Sequence, residues 1–380
     1  MTALKGVFAR ARATYKTLKK SCEGRVVRWQ WATFAIHEAE PYYHERHKIA
    51  RGRKLKVKPA KVTSGMHQYG FDADGRVVIV RDYTEFKGRF YEEFFTYGDR
   101  VVEGTLFDGS SEKRVINVTC KTFDGDGKII QYEAVATGGE STEIYEYARD
   151  RLKVIRKSGI SYLPRSVYRF DDELEYDAIG RLSVIRRVDL SPKASRPHIL
   201  YQRPQKGQSL NELAEVIREK LVRRTPQALR AKRLKGPAYC VILLYTNEDS
   251  IVLPPTLAIG LEEERRDWIE ELGRGTKDMI WNYPEFKHTD VTPPWKDAEL
   301  LAACELFNQQ VAVGGKSNRA RKLLNEIARE LASADWSQTF DVTDDFVVFA
   351  LDYEYEDFRA NLKASVSPQR LALLKDRGWL

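Results

Sequence analysis

Cysteine is scarce, with four residues in a chain of 380. Cys22, Cys120, Cys240 and Cys304 are widely spaced and form no Cys-x-x-Cys pair. That spread argues against a disulfide framework and fits a reducing compartment, so a cytoplasmic location is expected. No run of about 18 apolar residues occurs, so no membrane-spanning helix is expected. No hydrophobic signal-peptide core follows Met1. Collagen-like and low-complexity tracts are missing as well. Hydrophobic residues make up 42% and charged residues 31%, with 19 Tyr, 16 Phe and 7 Trp. Such a chain folds into globular domains, and its length suggests two or three of them.

Complete catalytic motifs are also lacking. There is no Gly-x-Ser-x-Gly nucleophile elbow. Gly315-Lys316-Ser317 imitates the end of a phosphate-binding loop, but position 310 is Gln rather than Gly. The stretch before it is helical, not a strand, so a helix-to-helix turn is expected. His44-Glu45-Arg46-His47 is one residue short of a zinc-protease helix, and Pro41 interrupts the segment that also holds His37. Asp341, Asp344 and Asp345 could supply a carboxylate metal site or an acid–base pair, but their place before a buried strand favours turn hydrogen bonds. No catalytic residue, metal ligand or cofactor is therefore expected.

Charge is split along the chain. Residues 1–70 hold 16 Lys/Arg against four acids, and residues 206–236 hold nine against three. The remainder is net acidic. The first 22 residues contain no acid, and Leu4, Val7, Phe8, Ala11, Tyr15 and Leu18 recur at helical spacing. That is an amphipathic basic helix, which either docks on the protein's own acidic surface or meets a polyanion. The densest basic run includes Arg218, Arg223, Arg224, Lys232 and Arg233, the candidate polyanion contacts if nucleic acid is the partner.

A repeat fills the first half. Tyr69-Gly70-Phe71-Asp72-Ala73-Asp74-Gly75-Arg76, Thr122-Phe123-Asp124-Gly125-Asp126-Gly127-Lys128 and Glu175-Tyr176-Asp177-Ala178-Ile179-Gly180-Arg181 share one pattern. Shorter versions occur at Tyr97-Gly98-Asp99-Arg100 and Tyr147-Ala148-Arg149-Asp150. Asp accepts backbone hydrogen bonds in a turn and Gly supplies positive φ, so each unit reads as a β-hairpin. The 113–122 stretch alternates, with Val118 and Cys120 on one face and Asn117, Thr119 and Lys121 on the other, which predicts one wet face. The 90–97 stretch is aromatic on both faces, which predicts cover on both. The repeat resembles the YD repeats of bacterial Rhs-type proteins. Five copies are too few to close a shell, so an open antiparallel meander is expected.

After the Pro-rich stretch 191–208, Ser209 and Glu212 form a capping box before an apolar helical stripe. Tyr239–Tyr245 and Phe346–Leu351 are unbroken apolar runs suited to strands buried on both faces. Asn247-Glu248-Asp249 should turn the first of these into a second strand at Ile251–Leu253. Helical periodicity returns at about 261–272, 297–311 and 319–332, and Ser367-Pro368 opens a last helix ending at Gly378. Asp352, Glu354, Glu356 and Asp357 read as a solvated helix start. This half is similar to an uncharacterised bacterial domain family related in spirit to SUKH-type immunity proteins. The residues that carry the likeness are Tyr239–Glu248, Met279-Ile280-Trp281-Asn282 and Asp344–Ala350.

The expected fold is α+β. A basic helical or irregular segment (1–65) precedes an antiparallel β-meander of repeated hairpins (66–190). A linker (191–208) then leads to an α+β domain with a small helix-covered sheet (209–380). The resemblances imply a non-enzymatic bacterial protein that binds another protein, such as a toxin, in the manner of an immunity protein or antitoxin. Trp281, Tyr283 and Phe286 are either a core plug or interface anchors, and with Asp344 and Asp345 they are the candidate protein-binding residues. Nucleic-acid binding through 1–70 and 206–236 is the alternative. Both readings expect a recognition surface rather than a reaction centre.

Overall fold

The computed structural model describes all residues except 192–196, 231, 247–251, 274–275, 292–294 and 355–357. The expected turn at 247–249, Ile251, Glu356 and Asp357 lie outside the described residues. The chain divides into two compact units, Met1–Arg203 and Pro204–Leu380.

The first unit is one long helix and one thirteen-stranded antiparallel sheet. The helix is α1 (Thr2–Arg25), and the strands are β1 (Arg28–Ala32), β2 (Lys54–Leu55), β3 (His67–Phe71), β4 (Val77–Tyr83), β5 (Phe90–Tyr97), β6 (Val101–Phe107), β7 (Val115–Phe123), β8 (Ile129–Ala136), β9 (Gly139–Ala148), β10 (Arg151–Tyr162), β11 (Arg165–Tyr176), β12 (Leu182–Asp189) and β13 (His198–Gln202). From β3 to β13 each strand pairs with its neighbours in sequence, and β1 and β2 extend the β3 edge. The meander is thus present, and it is wider than the repeat alone. The N-terminal segment contributes β1 and β2, and the stretch read as a linker contributes β13, because Ile199, Leu200 and Tyr201 continue the sheet beside β12.

The turns work as the Asp-Gly punctuation requires. Asp72 Oδ1 accepts from the backbone N–H of Asp74 and Arg76, Asp124 Oδ1 from Asp126 and Lys128, and Asp177 Oδ1 from Ile179 and Arg181. Gly75, Gly127 and Gly180 take φ of 78°, 78° and 84°, which favours Gly over any residue with a Cβ. The repeated tyrosines have a second job. The Tyr97, Tyr147 and Tyr176 hydroxyls donate to the carbonyls of Val77, Ile129 and Leu152, each early in the strand after an earlier turn. Three of the five copies are thereby fastened to their predecessors.

The basic helix α1 docks on one face of this sheet. Leu4 and Ala11 pack on Val118 and Val135, and Cys22 packs with Val78, Ile79, Phe94 and Phe107. Its charges meet acids of the sheet: Lys5 with Glu140 at 2.6 Å and Arg25 with Asp72 at 2.8 Å.

The second unit has a four-stranded sheet formed by β14 (Ala238–Tyr245), β15 (Thr256–Leu261), β16 (His288–Val291) and β17 (Val342–Asp352) in the order β16-β15-β14-β17. Strands β14 and β17 run parallel, and the other pairs are antiparallel. The strand after β14 is Thr256–Leu261 rather than 251–253. Every residue of β14 is buried. Val241, Leu243 and Tyr245 face one hydrophobic cluster, while Cys240, Ile242 and Leu244 face another. The first cluster includes α3 (Leu210–Arg230) and two further helices, Ala298–Gly314 and Ser317–Ala332, and the second includes Ile280, Trp281, Leu362 and Leu374. Gly315, with φ of 60°, makes the turn between the two helices where the phosphate-loop imitation lies. Asp352 is buried at the end of β17 instead of starting a solvated helix.

Candidate functional site

Four of the five residues singled out as protein contacts in the second unit are buried in it. Trp281, Tyr283 and Phe286 are only 6%, 5% and 3% exposed. The Trp281 indole donates to the Trp379 carbonyl at 2.8 Å, the Tyr283 hydroxyl donates to the Tyr353 carbonyl at 3.2 Å, and Phe286 stacks on Trp268. They pack as a core plug within the unit. Asp345 is fully buried and takes both Arg265 nitrogens, at 2.9 and 3.1 Å, with Arg377 at 3.0 Å and the Trp379 indole at 3.2 Å. Burial alone would raise this carboxyl, but Arg265, Thr343 and Arg377 hold it down at about 2. Asp344 is exposed and pairs with Arg377.

Most of the basic run is also tied to neighbouring acids. Arg218 pairs with Glu215 and Glu330, Arg223 with Glu219, and Arg224 with Asp297. Lys232 and Arg233 are exposed and make no ion pair among the described residues.

The first unit holds a cavity of about 920 Å³ that gathers ionisable groups. It lies on the sheet face opposite α1. A strap, residues 33–50, contributes Ala35, His37, Glu38, Glu40, Tyr43 and His47 to its wall. Within the strap is the short helix α2 ahead of α3 in the chain (Tyr43–His47). The strap is fastened at both ends. The backbone N–H of Ile36 donates to the Tyr69 hydroxyl at 3.0 Å. At the far end Arg46 is buried, donating to Glu143 at 2.8 Å and lying 3.5 Å from Asp172. Pro41 and the left-handed Tyr42 and Lys48 bound the short helix, which explains why this segment lacks a longer helical pattern.

Strand alternation supplies the other wall. The face of β7 read as wet carries Asn117, Thr119 and Lys121, and these line the cavity instead of a free surface. The second face of β5 brings Tyr91, Glu93, Phe95 and Tyr97, and β6 adds Val102 and Leu106. Strand β5 was expected to be covered on both faces; α1 covers the Phe94 face, whereas the other face meets the cavity and leaves Tyr91 exposed. Gly104 makes room at the floor: a Cβ there would lie 2.6 Å from Thr119 Oγ1 and 2.7 Å from Glu93 Oε1.

The electrostatics are lopsided. Lys121 pairs with Glu40 at 3.4 Å, and Lys157 pairs with Glu143 at 3.0 Å. Burial would raise Glu143, but Arg46 and Lys157 bring it down to about 2. Glu38 and Glu93 have no hydrogen bond or ion pair among the described residues, and the buried Asn117 Oδ1 also lacks a hydrogen-bond partner. Burial chiefly pushes Glu38 up to about 7; Lys121 opposes this, and Glu93 and Glu40 reinforce it. Burial likewise raises Glu93, with Lys121 opposing and Glu40 reinforcing. The adjacent Glu92, on the other face, shows what a satisfied carboxylate looks like here. It takes Arg81 at 2.8 Å and the Tyr15 hydroxyl at 2.8 Å.

Glu38, Glu93, Asn117 and Lys121 were not candidates on sequence grounds. The available signal was Glu92-Glu93 inside an aromatic run, a position where both acids must be buried or paired. His37, His44 and His47 do not form a metal centre; among the described residues no three His, Cys, Asp or Glu groups converge in that way. No helix among the described residues is long and apolar enough to cross a membrane. Comparison with protein-family models, curated protein sequences and solved structures returns no match.

Proposed function

We propose that this chain is a binding protein whose recognition element is the strap-covered cavity of the first unit. One observation carries the reading: the cavity wall brings together Glu38, Glu93 and the buried Asn117 amide oxygen, and none of the three has a hydrogen-bond or ion-pair partner among the described residues. A buried polar group left unsatisfied costs about 1–3 kcal/mol, so the Asn117 oxygen favours a ligand that supplies the missing donor. Cavities that combine apolar walls with a few convergent polar groups are the usual form of a ligand site.

The immunity- or antitoxin-like role stays within this proposal in altered form. Four of the five second-unit residues expected to touch a protein, all but Asp344, are buried in their unit, whereas the excess of carboxyls in the cavity suits a basic partner segment. The test is a thermal-shift screen of polar metabolites and short basic peptides against the full chain and two cavity-filling variants, Ser141→Trp and Ala39→Trp. Ligands should raise the Tm of the wild type and not that of the filled proteins. Equal shifts in all three would overturn the reading.

A further inference from the structure

Several cations of the first unit are tied into its fold: Lys5 pairs with Glu140, Arg25 with Asp72 and Lys121 with Glu40. Residues 51–61 differ. Arg51, Arg53, Lys54, Lys56, Lys58 and Lys61 place six cations in 11 positions, and no acid occurs between Glu45 and Asp72. All six residues are exposed, and none makes an ion pair among the described residues. Their field reaches inward. Burial is the first cause that lowers the His37 pKa, and Arg28, Lys54 and Arg51 lower it further, so positive potential gathers at this edge.

The six lie along a free edge of the thirteen-stranded sheet. β2 is its last strand and has no partner on the outer side. A charged side chain on such an edge keeps it from pairing with another chain. Here β2 spans only Lys54–Leu55, and the cations run past it at both ends. Like charges this close repel one another and destabilise the fold, so the arrangement suits a polyanion that neutralises them. None of these residues lines the cavity, so the surface stands apart from the proposed ligand site.

An aromatic ring completes the surface. The backbone N–H of Thr33 donates to the Arg53 carbonyl at 3.0 Å, and that of Gly52 donates to the Ala35 carbonyl at 2.9 Å, so Phe34 sits between two rungs beside the cations. Phe34 is 43% exposed. A Cβ on Gly65 would lie 2.9 Å from its Cε1, so glycine there lets the ring lie close against the backbone. The cations stand on a two-residue strand and irregular chain, with no helix in 51–61 to enter the groove of a duplex. Cations that follow a phosphate backbone, beside a ring on which a base stacks, are the form of single-strand binding surfaces. We propose that the β2 edge, from Arg51 to Lys61, docks single-stranded nucleic acid, its phosphates on the six cations and one base on Phe34.

The test is fluorescence anisotropy of a labelled oligo(dT) of about 15 nucleotides titrated with the full chain. Saturable binding is expected, at least tenfold weaker at 200 mM than at 50 mM NaCl, because phosphate contacts release counterions. The combined Lys54→Ala, Lys56→Ala and Lys58→Ala variant should weaken binding at least tenfold and flatten its salt dependence. Should it fail to fold, Lys58→Glu, outside β2, serves as the second variant and should also weaken binding. Phe34→Ala should weaken binding at least fivefold and leave the salt slope as it is. Removing the same charge from the second unit, with Arg223→Ala, Lys232→Ala and Arg233→Ala, should change affinity less than about twofold. No binding at 50 mM NaCl, wild-type affinity in the lysine or Phe34 variants, or an equal loss in the second-unit variant overturns the proposal. A duplex of the same length bound as tightly as the single strand also overturns it. So do phosphatidylserine vesicles that bind the chain when the oligonucleotide does not, which would point to a membrane surface instead.

Discussion

Asp345 in the second unit and Glu93 in the first are both carboxylates set on strands, and they meet opposite fates. Asp345 is fully buried and ringed by Arg265, Arg377, Thr343 and Trp379. Glu93 is half-buried, lines the cavity and has no hydrogen bond or ion pair among the described residues. The difference teaches how to separate a structural charge from a functional one. A fold that needs a buried charge surrounds it with donors, whereas a site leaves its charge unmet for something outside the chain. A carboxylate on a strand is common to both, so that feature alone does not identify the site.

The comparison breaks most easily at Arg265. Arg265→Ala strands the buried Asp345 carboxylate, and loss of about 3–5 kcal/mol from the second unit is expected in urea unfolding. Asp345 is depressed in the folded state, so its contribution is fully present above pH 4 and fades as pH falls toward 2. A loss below about 1 kcal/mol would mean that the pairing is incidental. The opposite sign is expected in the first unit. Glu38→Gln removes a carboxyl whose folded pKa is raised, so wild-type stability is lost as pH climbs from about 4.5 to about 7. The variant should match the wild type at pH 4 and be more stable at pH 8, by an amount on the order of 1–3 kcal/mol. A variant less stable than the wild type at pH 8 would show that Glu38 supports the fold. The smallest effect is expected at Arg218. Its pairs with Glu215 and Glu330 are exposed, so Arg218→Ala should cost no more than about 1 kcal/mol and show little change on adding salt above 0.15 M.

Much of the fold was legible in local chemistry. Asp-Gly turns, alternating strands and unbroken apolar runs each state a backbone or burial requirement within a few residues. The edges were less legible: β1, β2 and β13 are short, and their pairing depends on a sheet that already exists. The cavity was hidden for a different reason. Asn117, Thr119 and Lys121 alternate as solvent-facing residues do, and period-two polarity cannot distinguish open solvent from the wall of a cavity. The strap that makes the difference is stapled by Arg46 to Glu143, 97 positions away in sequence. Trp281, Tyr283 and Phe286 illustrate the converse, since aromatic residues in an irregular, proline-bearing stretch read equally well as anchors or as core.

The direct check of the unmet-carboxyl account is a site-resolved titration of the full chain, following Glu side-chain carboxyl carbons by NMR, with Glu38→Gln to assign the resonance. Glu38 should titrate near 7. A Glu38 midpoint between 4 and 4.5 would place that carboxyl in ordinary water and contradict the account.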